Sequence, residues 1–181
     1  MLFDLTLQVT PKMRESAGNA EKKALSGHLG THFDVMDKDF PLEYTRRAGI
    51  CFDVRGIEEI GPEHINLDAV QPDMFVAFCT GFIEEAEYGT KRYFKEHPQL
   101  SFALIDALIE KGVSIIAVDC SGVRRGSEHT PTDQKCAEAG VFVVENLVNL
   151  GKIAGKKFTA HTYPVNYAGM SGLPCRVVAE V

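Results

Sequence analysis

Short apolar runs separated by turn residues are the main pattern along this chain. Residues 74–79 and 113–118 are almost entirely apolar, and residues 141–145 are similar. Runs of this length are typical of strands that are buried on both faces. Further segments with strand-like composition cover residues 2–9, 26–35, 49–54, 156–165 and 173–181. The pattern therefore predicts a sheet with a well-buried centre.

One segment carries a complete helix pattern. Ser101 is a suitable N-cap residue, and Gly112 provides a C-terminal stop. Between them, apolar residues recur with the spacing of one helix face, at positions 104, 105, 108 and 109. We therefore expect an amphipathic helix that packs on the sheet.

A second helix is predicted over residues 132–139, where Thr132 can cap the N-terminus and Gly140 follows the end. Residues 12–25 are mostly polar and are predicted to form a loop or a short helix. Strands interleaved with helices are typical of an α/β fold, in which helices pack on a mixed sheet. The length of 181 residues suits one domain, so residues 1–181 are interpreted as a single domain.

The composition argues against several classes of function. A hydrophobic content of 45% and a charged content of 24% are ordinary for a globular protein. The net charge of −6 argues against nucleic acid as the main partner, because there is no basic surplus to neutralise phosphates. No apolar run has the length of a membrane span, and the N-terminus lacks a signal-peptide pattern. The five cysteines include no CxxC pair, which favours free thiols in a reducing cytoplasm.

The candidate chemistry is concentrated in residues 28–34, His-Leu-Gly-Thr-His-Phe-Asp. Imidazole nitrogens and carboxylate oxygens are ordinary ligands for Zn²⁺ or Mn²⁺. On a helix, His28 and His32 would share a face and Asp34 would point elsewhere, whereas on a strand all three would line one face. Gly30 would let another group approach the backbone closely. The residues predict a metal site on a strand; the alternative is a partly buried strand that happens to carry histidines.

Residues 28–34 resemble the H-x-G-T-H-x-D core of the cyclase-like metal-dependent hydrolases, the family of bacterial kynurenine formamidase and isatin hydrolase. Three later segments resemble that family in the same order: residues 112–119, 144–147 and 173–179. The resemblance spans nearly the whole chain. It implies a swivelling β/β/α fold and hydrolysis of a small amide, lactam or lactone carbonyl through a metal-activated water.

The resemblance also implies a set of ligands. Three residues match the family's first metal ligands: His28, His32 and Asp34. A second metal in the family uses a histidine twelve residues before a glutamate. The glutamate matches Glu145, as ligand or catalytic base, but Asp133 stands at the place of the histidine. An aspartate ligand adds negative charge and favours a harder metal. His129 lies nearby, although its register does not match.

Other positions depart from the family or add candidate charges. The family signature continues with a proline and then a catalytic histidine, where this chain has Met36 and Lys38. Lys38 could be the catalytic group if its pKa fell toward neutrality, could hold a substrate as a fixed charge, or could be an exposed loop lysine. Arg124 and Arg125 could bind an anionic substrate through bidentate hydrogen bonds, or could be ordinary loop charges.

Two functions therefore stay open at the level of sequence. The first is an active metal hydrolase with a variant catalytic group. The second is a family member that binds a small ligand, with or without metal, and does not hydrolyse it. In both cases the expected partner is a small molecule, and the resemblance implies a homodimer or a larger homo-oligomer.

Overall fold

A computed structural model describes residues 1–16 and 20–181, which form ten strands and six α-helices joined by loops and short 3₁₀ turns. The strands are β1 (Leu2–Asp4), β2 (His32–Asp34), β3 (Arg46–Asp53), β4 (Glu59–Ile60), β5 (Phe75–Cys79), β6 (Gln99–Leu100), β7 (Ile115–Val118), β8 (Phe142–Glu145), β9 (Lys157–Pro164) and β10 (Gly172–Glu180). The helices are α1 (Pro11–Ser16), α2 (Ala20–Leu25), α3 (Phe82–Glu85), α4 (Lys91–Lys95), α5 (Phe102–Glu110) and α6 (His129–Glu138).

The main sheet is mixed and closes on itself. Its strands are hydrogen-bonded in the order β1-β10-β2-β8-β7-β5-β3-β9, and β9 pairs again with β10, which gives the sheet the form of a barrel. The β3–β5, β5–β7 and β7–β8 pairs are parallel, and the other pairs of this sheet are antiparallel. The predicted α/β fold with helices on a mixed sheet is confirmed.

Alternate residues of the central strands face two separate apolar cores. In β5, Phe75 and Ala77 pack with the residues inside the barrel, whereas Val76 and Phe78 pack on the other side. Helix α5 covers that second side with buried residues such as Leu104. Both faces of the strand are therefore buried, which explains why its sequence is continuously apolar rather than alternating.

The predicted helix after Ser101 is confirmed. The Ser101 side chain accepts a hydrogen bond from the amide of Leu104 at 3.2 Å, as an N-cap residue does. Gly112 has a φ of 68°, a left-handed conformation that ends the helix and that glycine adopts without steric cost. Among the described residues, none of the helices is long and apolar enough to cross a membrane.

The second helix begins earlier than predicted. Helix α6 starts at His129 rather than at Thr132, directly after a 3₁₀ turn at Gly126–Glu128. Thr132 is not a cap, because its hydroxyl donates a hydrogen bond back to the carbonyl of Glu128 at 2.7 Å. Such a bond to the preceding turn satisfies the hydroxyl inside a helix. The earlier start places His129 on the helix.

Two predicted strands are shorter than expected, and a third predicted segment forms short helices. The strand predicted over residues 26–35 is only His32–Asp34, and the strand predicted over 2–9 is only Leu2–Asp4. After Leu5 side-chain hydrogen bonds replace the ladder, because the Thr6 amide donates to Asp4 Oδ1 and the Val177 amide donates to the Thr6 hydroxyl. The segment 12–25 contains α1 and α2, while residues 17–19 lie outside the described residues.

The side chain of Asp119 joins the ends of the parallel strands β5 and β7. Its buried carboxylate, at the end of β7, accepts hydrogen bonds from the Thr80 amide at 3.0 Å, the Thr80 hydroxyl and the Gly81 amide at 2.8 Å. Burial raises the pKa of Asp119 to about 6, although these hydrogen bonds oppose the shift. The carboxylate therefore fixes the loop that leaves β5.

We expect Asp119→Ala to lower the free energy of unfolding by about 2–4 kcal/mol, because it leaves buried donors without an acceptor. Urea denaturation at neutral pH measures this loss. Asp39→Ala, which removes an exposed carboxylate, should change stability by less than about 0.5 kcal/mol. Equal effects of the two substitutions would contradict the role given to Asp119.

Candidate metal centre

Strands β2 and β8 bring three ligand-type side chains to one surface. His32 and Asp34 point to the same side of β2, while Phe33 between them packs in the barrel core. Strand β8 runs antiparallel to β2, and Glu145 lies directly opposite His32. All three polar side chains are buried. The register of one strand pair therefore joins residues that are more than 100 positions apart in the sequence.

His28 reaches this surface from a turn before the strand. Gly30 has a φ of 75°, which breaks the extended path, and a β-carbon there would lie 2.6 Å from the Val9 side chain. The His28 Nδ1 atom lies 3.0 Å from Asp34 Oδ1 and 3.0 Å from His32 Nε2. Strand alternation therefore places His32 and Asp34 on one face, as predicted. It does not place His28, which the turn at Gly30 brings to the same surface.

Helix α6 adds two more candidate ligands on the other side of Glu145. His129 and Asp133 are one helical turn apart, and His129 Nε2 lies 3.2 Å from Asp133 Oδ2 and 3.6 Å from Glu145 Oε1. The family signature passes over His129, because Asp133 and not His129 stands twelve residues before Glu145. The four-residue spacing of His129 and Asp133, which puts both on one helix face, was the available signal.

These side chains form two ligand sets that share Asp34. The first contains His28, His32 and Asp34, and the second contains Asp34, His129, Asp133 and Glu145, with the candidate ligand atoms of each set within 4.8 Å of one another. In a tetrahedral site with bonds of about 2.0–2.1 Å, ligand atoms lie about 3.3–3.4 Å apart. The shortest distances within each set, 3.0 to 3.6 Å, bracket that value. The spacing therefore fits a bound dication.

Each of the three carboxylates has an oxygen without a hydrogen-bond partner. Among the described residues, the buried polar atoms in this condition are Asp34 Oδ2, Asp133 Oδ1 and Glu145 Oε1. An unpaired buried polar atom costs free energy, and an unpaired buried charge costs more. A dication would satisfy these oxygens, so the donor set present fits a metal.

The pKa values of Glu145 and Asp133 show that their ionised forms are disfavoured beside Asp34. Burial raises the pKa of Glu145 well above its usual value, and the charges of Asp34 and Asp133 raise it further. Burial and the charge of Asp34 likewise raise the pKa of Asp133. Burial also acts to raise the pKa of Asp34, but His32 and His28 outweigh it and hold that pKa below its usual range. Without a cation, therefore, the ionised forms of Glu145 and Asp133 are disfavoured beside Asp34.

Hydrogen bonds to the outer ring nitrogens orient the first two histidines. His32 Nδ1 lies 2.8 Å from the carbonyl oxygen of Gly30, and His28 Nε2 lies 2.9 Å from the hydroxyl of Ser171. With these nitrogens as donors, the lone pairs on His32 Nε2 and His28 Nδ1 face each other and Asp34. A metal ligand needs such a fixed tautomer.

A buried network supports His32 from behind. The Tyr93 hydroxyl donates to Asn146 Oδ1 at 2.8 Å, and Asn146 Nδ2 donates to the Gly30 carbonyl at 3.0 Å. That carbonyl is the acceptor of the His32 ring. Asn146 follows Glu145 directly and has a φ of 58°, so its strained backbone turns the amide toward the site. Tyr93 and Asn146 are thus positioning residues that sequence reasoning did not identify.

The cluster lies at the base of a pocket of about 560 Å³. His28 and His129 are its most accessible candidate ligands, with 26% and 30% of their side chains exposed. The pocket is lined by residues from α2, the β2 turn, α4, α6 and β8: Lys22, Lys23, Ser26, His28, His32, Phe94, Ser121, Gly126, His129, Thr130, Glu145 and Asn146. A volume of this size suits a small-molecule ligand.

The structure does not bring Lys38 into this pocket. Its side chain is 38% exposed, and its ammonium group pairs with Asp37 at 3.0 Å. Lys38 lines a different cavity, together with residues such as Phe40 and Tyr163. The geometry therefore gives no support to the catalytic role predicted for Lys38.

The two arginines predicted to bind substrate also lie outside the pocket lining. Arg124 is only 7% exposed and donates hydrogen bonds to Glu59, Glu128 and the Leu100 carbonyl, so its guanidinium is occupied by a structural ion-pair network. Arg125 donates to the carbonyl of Lys95 at 3.3 Å. A substrate-binding role for either arginine remains a prediction without support from these contacts.

The family model described as "Putative cyclase" matches residues 3–124, about two thirds of the chain. The chain therefore belongs to this cyclase family, as the motif at residues 28–34 indicates. No curated protein matches the sequence.

Solved structures share the fold over nearly the full chain. A potential metal-dependent hydrolase with cyclase activity is 21% identical, with a TM-score of 0.77 and coverage of 99% of this chain and 98% of that one. A predicted metal-dependent hydrolase from Bacillus stearothermophilus is 20% identical, with a TM-score of 0.77 and coverage of 99% and 97%. Isatin hydrolase A from Labrenzia aggregata, bound to benzyl benzoate, is 18% identical, with a TM-score of 0.76 and coverage of 99% and 93%.

We expect the stabilisation by added Mn²⁺ or Zn²⁺ to increase from about pH 5 to about pH 8, because a dication must displace protons from its ligands. The pKa values of Glu145 and Asp133 are raised, which favours their protonated forms in the metal-free protein, and such protons are lost more readily as the pH rises. The difference in Tm with and without metal, measured along a pH series, tests this. Glu145→Gln should give a shallower increase, and a pH-independent difference in the parent protein would contradict the ligand assignment.

We expect Asn146→Ala to weaken metal binding by about 10- to 100-fold, since the support of a ligand is lost while all ligands remain. Tyr93→Phe, which removes only the hydroxyl that orients Asn146, should act in the same direction with a smaller effect. Titration calorimetry with Zn²⁺ measures both. Tyr163→Phe removes an exposed hydroxyl and is the matched control; unchanged affinity in both Asn146→Ala and Tyr93→Phe would disprove the network's role.

Proposed function

We propose that the protein is a metal-dependent hydrolase that acts on a small amide, lactam or lactone carbonyl through a metal-activated water. The observation that carries this proposal is the convergence of three unpartnered carboxylate oxygens and three imidazoles at the base of one pocket. Membership of the cyclase family supports it, as do the similar structures described as metal-dependent hydrolases and isatin hydrolases. The structural matches support a carbon–nitrogen bond as the target.

The two ligand sets give the proposed metal positions. One dication would be held by His28, His32 and Asp34, and a second by Asp34 together with three further residues: His129, Asp133 and Glu145. Nitrogen and oxygen donors without thiolate suit Zn²⁺ and Mn²⁺. The second position has three carboxylates and one imidazole, a donor set that favours the harder Mn²⁺.

A dication bound in this pocket would polarise a carbonyl group and make hydroxide available near neutral pH. The chain itself has to exclude competing ligands, orient the substrate and move protons. Glu145 is buried and can serve as a ligand or as a base. His129 lies at the accessible side of the pocket, and burial lowers its pKa, which favours the neutral ring that a metal ligand requires.

A second candidate function is binding of a small ligand without hydrolysis. The observation that favours it is the position of Lys38, which stands where the family carries its catalytic histidine yet lines another cavity. Activity measured with metal decides between the two functions. Binding of a product-like carboxylate without turnover of any substrate would favour the second.

The location and assembly of the protein are further parts of this proposal. The five cysteines are free and buried, which supports a reducing compartment such as the cytoplasm. A cluster of exposed apolar side chains beside Lys38 supports a homodimer or larger homo-oligomer: Leu42, Tyr163, Val165 and Tyr167.

We expect His28→Ala and His32→Ala to lose tight metal binding, and with it the hydrolysis of a panel of formamides, lactams and lactones assayed with Mn²⁺ or Zn²⁺. Each change removes one imidazole from a three-residue ligand set. Metal content after gel filtration and initial rates measure the two effects. His161→Ala, which removes a ring that contacts Glu180 instead, is the control.

Lys38→Ala completes this experiment and should retain both metal and activity, because its ammonium lies outside the pocket. Loss of activity with full metal content would restore the catalytic role predicted from the sequence. A parent protein that binds neither metal, or that hydrolyses substrates equally well after His32→Ala, would contradict the proposed function.

A further inference from the structure

Lys23 is a cation in the metal pocket for which the proposed chemistry has no use. It lies on α2, and its carbonyl accepts a hydrogen bond from the amide of His28 at 2.7 Å, so the helix is tied to a candidate metal ligand. The Lys23 side chain is half-buried and lines the same pocket as His32 and Glu145. The pocket therefore has a metal-binding base and an ammonium group on its wall.

An aromatic ring holds this ammonium group in place without neutralising it. Lys23 Nζ lies 3.3 Å from the centroid of the Phe94 ring. The ring is itself fixed, since it contacts Tyr88 and Tyr93 with centroid distances of 5.8 and 5.5 Å. A cation–π contact orients an ammonium but leaves its positive charge available. In the parts of the chain that the structure describes, no carboxylate forms an ion pair with Lys23.

Partial burial makes this charge more receptive to an anion. Burial lowers the pKa of Lys23, while the charge of Glu145 acts in the opposite direction. An ammonium that has lost part of its hydration gains more from a new anionic partner than a fully hydrated one does. Within the described part of the chain, the negative charge that acts on Lys23 is that of Glu145, a proposed metal ligand, which leaves a bound molecule as the source of a direct partner.

The net charge of the pocket with a metal bound also favours an anionic ligand. One dication together with the ammonium groups of Lys22 and Lys23 already exceeds the charge of the three carboxylates in the cluster. A second dication would increase the surplus. An anionic ligand is therefore favoured over a neutral one of the same shape.

We propose that Lys23, seated on Phe94, is a carboxylate-binding subsite, and that the substrate is a small amide, lactam or lactone carrying a carboxylate away from the bond that is cleaved. This inference rests on the proposed function for the position of the cleaved bond. Lys23 thus takes the role that the sequence suggested for Arg124 and Arg125, because Arg124 is saturated by Glu59 and Glu128.

Binding of simple carboxylates to the metal-loaded protein tests this subsite without turnover. The probes are benzoate, which offers the metal a single carboxylate, and benzene-1,3- and benzene-1,4-dicarboxylate, which carry a second carboxylate for Lys23 at two different spacings. Free Mn²⁺ is removed by gel filtration before calorimetry, so that chelation in solution does not contribute. We expect at least one dicarboxylate to bind about 10-fold more tightly than benzoate, because one additional, partly desolvated ion pair provides a gain in affinity of that order.

Three substitutions make the assignment specific. Lys23→Met should reduce the affinity for that dicarboxylate to the level of benzoate and leave benzoate binding within about twofold. Lys23→Arg should preserve most of the preference, because it keeps the charge. Lys91→Met, which removes an exposed lysine from α4, is the matched control and should preserve the preference fully.

The outcomes separate this inference from the proposed function. Equal affinity of the loaded protein for benzoate and both dicarboxylates, or a preference that survives Lys23→Met, would overturn the subsite and leave the metal centre intact. A dicarboxylate preference that depends on Lys23 in a protein that does not retain Mn²⁺ would support the subsite and contradict the hydrolase. Failure of the metal-loaded protein to bind any of the three probes would also overturn the subsite and leave the proposed function to its own test.

Discussion

Mutual repulsion among Asp34, Asp133 and Glu145 is the constraint on which the rest of the site depends. The three carboxylates are buried, and each has an oxygen that no described residue satisfies. The fold holds them together through covalent and packing restraints that lie elsewhere: the β2–β8 register, the first turn of α6 and the two apolar cores. A protein that keeps such an arrangement spends part of its stability on it unless a cation is bound, which is why we connect this cluster with a metal.

The same constraint explains the surroundings of the cluster. The outer nitrogens of His28 and His32 are hydrogen-bonded to fixed groups, so their inner nitrogens are available as ligands. Tyr93 and Asn146 hold the acceptor of one of these bonds from inside the protein. His28 and His129 are the accessible members of the cluster, and Lys23 and Phe94 line the same pocket. The candidate ligands, the residues that position them and the pocket are thus arranged around these three carboxylates.

The sequence predicts the fold well where local signals and burial agree. The apolar runs at residues 74–79 and 113–118 form β5 and β7, and Ser101 caps α5. Strand alternation also places His32 and Asp34 together. It fails for His28, since the chain makes a left-handed turn at Gly30, where a side chain would collide with Val9, and that close approach is a tertiary feature. The family signature identifies His28 as a candidate metal ligand, whereas the periodicity of a strand alone does not.

The remaining site residues depend on distances that the sequence does not contain. The register of the family signature points to Asp133 and away from His129, and the earlier start of α6 at His129 puts both residues on one helix. Lys38 and Arg124 were attractive by position in the motif and by charge, yet their ammonium and guanidinium groups pair with Asp37, Glu59 and Glu128. Lys23 belongs to no sequence motif, and only the fold shows that α2 places it in the lining of the pocket.

Anomalous diffraction from crystals grown with Mn²⁺ tests the central claim most directly. The account predicts an anomalous peak in contact with His28 Nδ1, His32 Nε2 and Asp34 Oδ1, with any second peak between Asp34 and the His129, Asp133 and Glu145 side chains. A crystal that shows no peak among these atoms, with the three carboxylates satisfied by hydrogen bonds instead, would contradict it.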